Sequence, residues 1–300
     1  KAHIGGGNVT VKASFDWQQK DGEAELHTED VDLGTFVPRL GSMILDGTLY
    51  AIGTYKDSRL QVETVSSDLG LAWGNLSLQD IALDAVLDGS SVTLKRISAE
   101  NSAGGGLVGS GSLQDGALSA DVYLTRLPID PLLAAVGQEG KGTLSAHLTL
   151  SGSLDDPQAS GAFSLEDAEI LGEPIKEAHG VIGWQDHVAA FHKVEVNPAQ
   201  GRHILNGSVD LSGSEPVLDL QLITTGVRLE PFSNFFQSPL PVTGNLTNTI
   251  AVNGPLSNPV FQGHVHAYDG SVNKFLVDEL DGDYSYDGTV LNLKDFKVQA

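Results

Sequence analysis

Cysteine is absent from this chain of 300 residues. That removes disulfide staples, thiolate metal sites and thiol catalysis together. It leaves the compartment open, because a repeat protein with a continuous sheet needs no disulfide even where one would form. Cations are scarce too: 17 Lys and Arg stand against 39 Asp and Glu, a formal net charge of −22. None of the 17 forms a run, and a polyanion-binding surface needs clustered Lys and Arg, so no nucleic-acid partner is expected. The acidic excess favours solubility and discourages stacking of one copy on another. No run of about 18 apolar residues occurs, so no membrane-spanning helix is expected within the chain. Lys1 stands where an initiating Met would be, no signal-peptide pattern follows, and the sequence stops inside strand-like Lys297-Val-Gln-Ala300. Together these read as a piece of a longer protein.

What is present is glycine, at 35 residues, with a 40 % hydrophobic share large enough for a sizeable core. Glycine mixed with Val, Ile, Leu, Thr and Ser points to many short strands joined by tight turns. Val9, Val11, Ala13, Phe15 and Trp17 alternate with polar residues, which puts all five on one face of a strand, with Lys20-Asp21-Gly22 as its turn. Leu60 and Val62, Leu71 and Trp73, and Ile81, Leu83, Ala85 and Leu87 continue the alternation, and Asp88-Gly89 marks a hairpin.

The sequence repeats. Gly142, Gly152, Pro157, Gly161 and Gly180 recur as Gly244, Gly254, Pro259, Gly263 and Gly282, each displaced by 102 residues. Gly5-Gly6-Gly7 is echoed by Gly104-Gly105-Gly106, and Pro131 by Pro231. Three β-units follow: 1–103, the most diverged, then 104–200 and 201–300, one continuous elongated domain of roughly 18 strands. Short helical inserts are expected near 32–40, 127–136 and 227–236, the last two opening with an acidic residue before Pro. The fold class is all-β, an elongated antiparallel repeat sheet.

These residues resemble the AsmA-like superfamily, most closely its TamB branch. The likeness rests on Gly-x-Leu…Gly-x-Leu-x-x-Pro…Gly-x-Phe/Val, filled by Gly142 to Phe163 and by Gly244 to Val265. It rests also on the Asp/Glu-Pro inserts and on the Asp287-Gly288 hairpin leading to Val290–Phe296, and it covers 104–300 more fully than 1–103. The resemblance implies a U-shaped β-groove with an apolar concave face in the periplasm of a two-membraned bacterium. It implies a role carrying phospholipid between inner and outer membranes, with a link to outer-membrane protein assembly. It further implies partners outside the chain: an outer-membrane barrel protein and an inner-membrane anchor.

The alternation itself requires an apolar face that must be hidden from water. Either two sheets close over it as a dry core, or one sheet curls and acyl chains fill the remainder; the repeat and the resemblance favour the second. The candidate lipid-binding residues are Leu144, Leu148, Leu150, Phe163, Leu205, Val209, Leu220, Ile250, Val252, Phe261 and Val265. No catalytic residue, metal ligand or cofactor is assigned. Gly104 to Gly109 fits G-x-G-x-x-G but leads into strand-like sequence, not the helix a pyrophosphate needs. His264 and His266 share a strand face and read as solvated rather than chelating. Asp278, Asp281 and Asp283 fail the calcium-loop spacing because Leu280 takes a ligand position. Carboxylate pairs abound without one standing out, so the chain is read as non-enzymatic. The competing readings are a scaffold or chaperone engaging outer-membrane proteins through strand edges, and a surface β-helix adhesin, whose coil period of about 20–25 residues is not seen.

Overall fold

A computed structural model of the chain describes residues 2–35, 41–102, 104–135, 137–153, 156–170, 173–229, 242–273 and 275–299. They fall into two compact units, 1–173 and 174–300. Unit 1 runs β1 (Ala2–Ile4), β2 (Gly7–Asp16), β3 (Asp21–Asp32), β4 (Ile44–Lys56), β5 (Arg59–Ser67), β6 (Gly70–Trp73), β7 (Leu76–Asp88), β8 (Ser91–Asn101), β9 (Gly105–Gln114), β10 (Ala117–Pro128), β11 (Gly140–Gly152) and β12 (Pro157–Ile170). Unit 2 runs β13 (Glu173–Gln185), β14 (Val188–Pro198), β15 (Arg202–Asp210), β16 (Val217–Arg228), β17 (Val242–Pro255), β18 (Val260–Val272), β19 (Phe275–Tyr286) and β20 (Leu291–Gln299). Within each unit every described pairing is antiparallel, and strands pair with their sequence neighbours, apart from the split place taken by β5 and β6. The all-β antiparallel class is therefore what the chain adopts.

Twenty strands are named where roughly 18 were expected, for two local reasons. β1 is a three-residue edge on β2, and β5 and β6 share one place in the sheet, both lying between β4 and β7. Trp17 is a correction: β2 ends at Asp16, whose carboxylate accepts from the amides of Gln18 (2.7 Å) and Gln19 (3.2 Å) and starts the turn there. Trp17 is 80 % exposed in that turn, and Gly22 already lies in β3 opposite Phe15. Of the inserts, 32–40 opens with a 3-10 turn, Leu33–Thr35, and 127–136 contains α1, Asp130–Ala135. Residues 36–40, 136 and 230–236 of the three inserts lie outside the described residues.

The repeat reappears as register. Leu148 pairs with Gly161 and Ala146 with Phe163 on β11–β12; Ile250 pairs with Gly263 and Asn248 with Val265 on β17–β18. Each partner is displaced by the same 102 residues. A β-bulge recurs as well, between Thr28 and Val31 on β3, Leu124 and Leu127 on β10, and Thr224 and Val227 on β16. In each the residue just before the last is left-handed: Asp30 at φ 51°, Arg126 at 47°, Gly226 at 65°. The extra residue returns an apolar side chain to the same face, and a bulge bends its strand. The strands that follow meet these bends with Gly47, Gly142 and Gly244, at φ 117°, 147° and 130°, where a side chain would be strained.

The apolar residue at each bend is buried. Val31, Leu127 and Val227 are 2 %, 6 % and 8 % exposed. Leu127 packs with Leu76, Leu78 and Ala99, reinforced by Leu71, Trp73, Ile81 and Leu124. A second cluster gathers Leu49, Ala51 and Leu69. The other face is polar, and its charges pair across strands: Lys12 with Glu25 (3.1 Å) and Lys141 with Glu169 (2.9 Å). Exposed pairs of this kind stabilise little. On β18 the His264 ring lies between two carboxylates, Nδ1 2.9 Å from Asp283 and Nε2 3.1 Å from Asp281. His266 sits 3.5 Å from Asp281 and 3.6 Å from Glu279, and β20 sets Lys294 opposite Asp283 and Lys297 opposite Asp281. The hydrogen bond to Asp283, aided by the charge of Asp281, raises the pKa of His264 above its ordinary value.

Two expectations follow. Leu127→Ala should lower stability by about 2–4 kcal/mol, as for a core leucine, whereas Leu148→Ala, on the half-open face, should cost about 1 kcal/mol; urea unfolding of both variants checks the contrast. For His264, a raised folded-state pKa means stabilisation that is complete below the unfolded value of 6.5 and fades as pH rises through the folded one. Wild type should therefore exceed His264→Gln in unfolding midpoint below the unfolded value, and the margin should shrink as pH is raised above it. A margin that grows with pH would contradict the assignment.

Candidate binding face

The strand pleat sorts the eleven candidate residues onto one face in each unit. In unit 1, Leu148 pairs with Val122 on β10, Leu150 with Ala120, and Leu144 with Leu127, while on the other side Leu144 meets Leu165 and Phe163 meets Ala146. In unit 2, Leu205 pairs with Leu222 and Val209 with Leu218; Leu220 pairs with Val252 and Leu222 with Ile250; Val252 pairs with Phe261. Directly paired residues point to the same side of a sheet. Leu144, Leu148, Leu150 and Phe163 therefore share a face of unit 1. Leu205, Val209, Leu220, Ile250, Val252, Phe261 and Val265 share a face of unit 2.

All eleven are half-buried, not sealed like Leu127. The choice of strand parity, which alternation alone does not fix, is set by the bulge residues: Leu127 and Val227 mark the inner side of the bend, and the candidates share it. The sequence reading missed neighbours on this face that were legible by the same rule: Val122 and Leu124 on β10, Leu218 and Leu222 on β16, and Tyr284 and Tyr286 on β19. The Tyr286 ring stacks on Phe261 at 6.0 Å between centroids, covering the hairpin end of unit 2.

The face also holds polar groups that the reading passed over. His203 Nδ1 lies 3.0 Å from the Thr224 hydroxyl, and the Tyr284 hydroxyl donates to Asn248 Oδ1 at 3.1 Å. Thr224 pairs directly with Asn248, so the two contacts adjoin. Burial lowers the pKa of His203 and raises that of Tyr284, which keeps both neutral near pH 7. The signal was available: Asn248 breaks the alternating run that carries Ile250 and Val252.

Hollows also open on the polar face. One of about 690 Å³ lies among Lys12, Glu23, Glu25, Tyr50, Ile52 and Val65 in unit 1, and one of about 490 Å³ among Gln221, Thr249, Gln262, His264 and Lys294 in unit 2. The larger of the two is walled by an ion pair and exposed apolar side chains. No group of three or more His, Cys, Asp or Glu among the described residues is placed to hold a metal ion; His264 spends both ring nitrogens on carboxylates. Gly104 leads directly into β9, paired with β8 and β10, rather than into a helix. No described helix is long and apolar enough to cross a membrane.

Comparison with known proteins adds one positive finding. The family model described as the TamB C-terminal domain matches residues 94–293. No curated protein and no solved structure matches the chain.

Proposed function

Because the chain belongs to the TamB family, we propose that its apolar faces shield the acyl chains of phospholipid on the way between inner and outer membranes. The family acts in outer-membrane protein assembly and lipid transport at the bacterial envelope. The observation that carries the finer reading is the half-buried state of all eleven face residues, where an ordinary core would seal them. Each buried CH₂ is worth about 0.8 kcal/mol, so a two-chain lipid does not cross water quickly unaided. A sheet that offers an aliphatic face lets the tails stay dry while head groups remain solvated. The mechanism is passive, with no catalytic residue and no cofactor. Its setting is the periplasm, with an inner-membrane anchor and an outer-membrane barrel protein as partners.

The experiment places a charge on the face. Leu148→Asp and Val252→Asp should each cost about 1 kcal/mol, because a carboxylate on an open face stays hydrated. In a closed core the same change would cost several kcal/mol. The wild type should crosslink to lipid, and both variants should fold but lose that crosslinking. Collapse of both variants, beside a wild type that never captures lipid, would identify the face as ordinary core and end this reading.

A further inference from the structure

The aliphatic face of unit 2 carries four polar side chains at adjoining positions on four strands of the sheet. His203 on β15 meets Thr224 on β16, Thr224 pairs with Asn248 on β17, and Asn248 accepts from Tyr284 on β19. The reach from β19 to β17 passes over Gly263 of β18. A Cβ there would lie 2.7 Å from the phenol oxygen and 2.8 Å from Cζ, so glycine is what lets the ring cross. Around the cluster the partners are aliphatic: Leu222 opposite Leu205 and Ile250, and Val265 opposite Asn248.

The repeat shows that the fold does not need Asn248 or Tyr284. One period earlier, 102 residues back, Asn248 corresponds to Ala146 and Tyr284 to Ile182. Ala146 pairs with Phe163 in the register that pairs Asn248 with Val265. The same hairpin thus forms with an apolar residue in that place. A polar group on an apolar face costs free energy unless it is satisfied; Tyr284 satisfies Asn248 Oδ1, and the amide N–H₂ is what a ligand can still meet.

The chemistry narrows that ligand. Tyr284 O–H occupies Asn248 Oδ1, which fixes the amide and directs its N–H₂ donors away from the tyrosine. His203 is neutral at pH 7, with Nδ1 engaged by Thr224, leaving the other edge of the ring for an exchange with a ligand. No Lys or Arg belongs to the cluster, so a phosphate finds no counter-charge there. A hydrocarbon segment would leave the donors unmet. An acyl carbonyl, apolar on its chain side and acceptor-only at its oxygen, matches both the donors and the aliphatic surround. Resting on the reading of this face as an acyl-chain surface, we propose that His203, Thr224, Asn248 and Tyr284 form a recognition site for the carbonyl group of a fatty acyl chain, as free acid or as glycerolipid ester. It registers the lipid at one depth on the sheet.

The test measures binding of radiolabelled hexadecane, palmitic acid and dipalmitoylphosphatidylcholine to the whole chain, wild type and two variants. Asn248→Ala copies the residue that the preceding repeat tolerates, and Tyr284→Phe keeps the ring while removing the group that orients the amide. Wild type should hold at least one carbonyl-bearing probe more tightly than hexadecane, and which one it prefers separates acid from ester. Asn248→Ala should weaken that probe about five- to tenfold, the loss of one hydrogen bond, and leave hexadecane unchanged. Tyr284→Phe should shift it the same way by less. Equal binding of all three probes by wild type, or variants indistinguishable from it, would overturn the carbonyl site while leaving the acyl surface standing. A wild type that binds none of the probes would overturn both.

Discussion

Every backbone N–H and C=O taken out of water needs a partner, and here neighbouring strands supply nearly all of them in the plane of the sheet. Because strands within each unit bond mostly to their sequence neighbours, the backbone is satisfied in the plane of the sheet without a second layer. The side chains are then left to deal with water by themselves. Alternation sends polar groups to one side and aliphatic groups to the other, and only a bend can shelter the aliphatic side. The bulges at Val31, Leu127 and Val227 supply that bend, and the apolar residue each returns to the face is buried. Away from the bend shelter is partial, which is why Leu148 and Val252 differ from Leu127 although all three lie on the same face.

The polar side solves a different problem. With 39 acidic residues, the chain carries more negative charge than its cations can pair. Cross-strand contacts such as Lys141 with Glu169 relieve part of the repulsion, and His264 between Asp281 and Asp283 relieves more when protonated. These contacts add little stability individually. Their effect is to let carboxylates sit close together on a surface whose solvation keeps it from pairing face to face with another copy.

Much of this was legible in the sequence, because period-two alternation and glycine spacing report directly on pleat and register. The 102-residue displacement that linked Gly142 with Gly244 reappears as identical pairing in β11–β12 and β17–β18. The bulges were not legible, because the left-handed residue in them is as readily Asp30 or Arg126 as a glycine. Pairing on both sides over-determines the backbone there, and composition leaves no trace of it. Trp17 was misplaced for a related reason: the Asp16 side chain ends β2 one residue before the alternation does. On the binding face the aliphatic residues followed from their spacing. The contact of Tyr284 with Asn248 joins residues 36 apart across a strand that neither occupies, which no local pattern reveals.

Pairing between sequence neighbours also bears on how the chain reaches its shape. Contacts of low sequence separation close small loops, so the entropy lost before each new strand is rewarded stays modest. Each strand finds its template in the one just completed, and the sheet can grow from any nucleus outward, as stacked repeats do. For an aliphatic face of this extent that order of events is protective. A growing sheet adds exposed surface one hairpin at a time, where a single late collapse would present all of it at once to neighbouring chains.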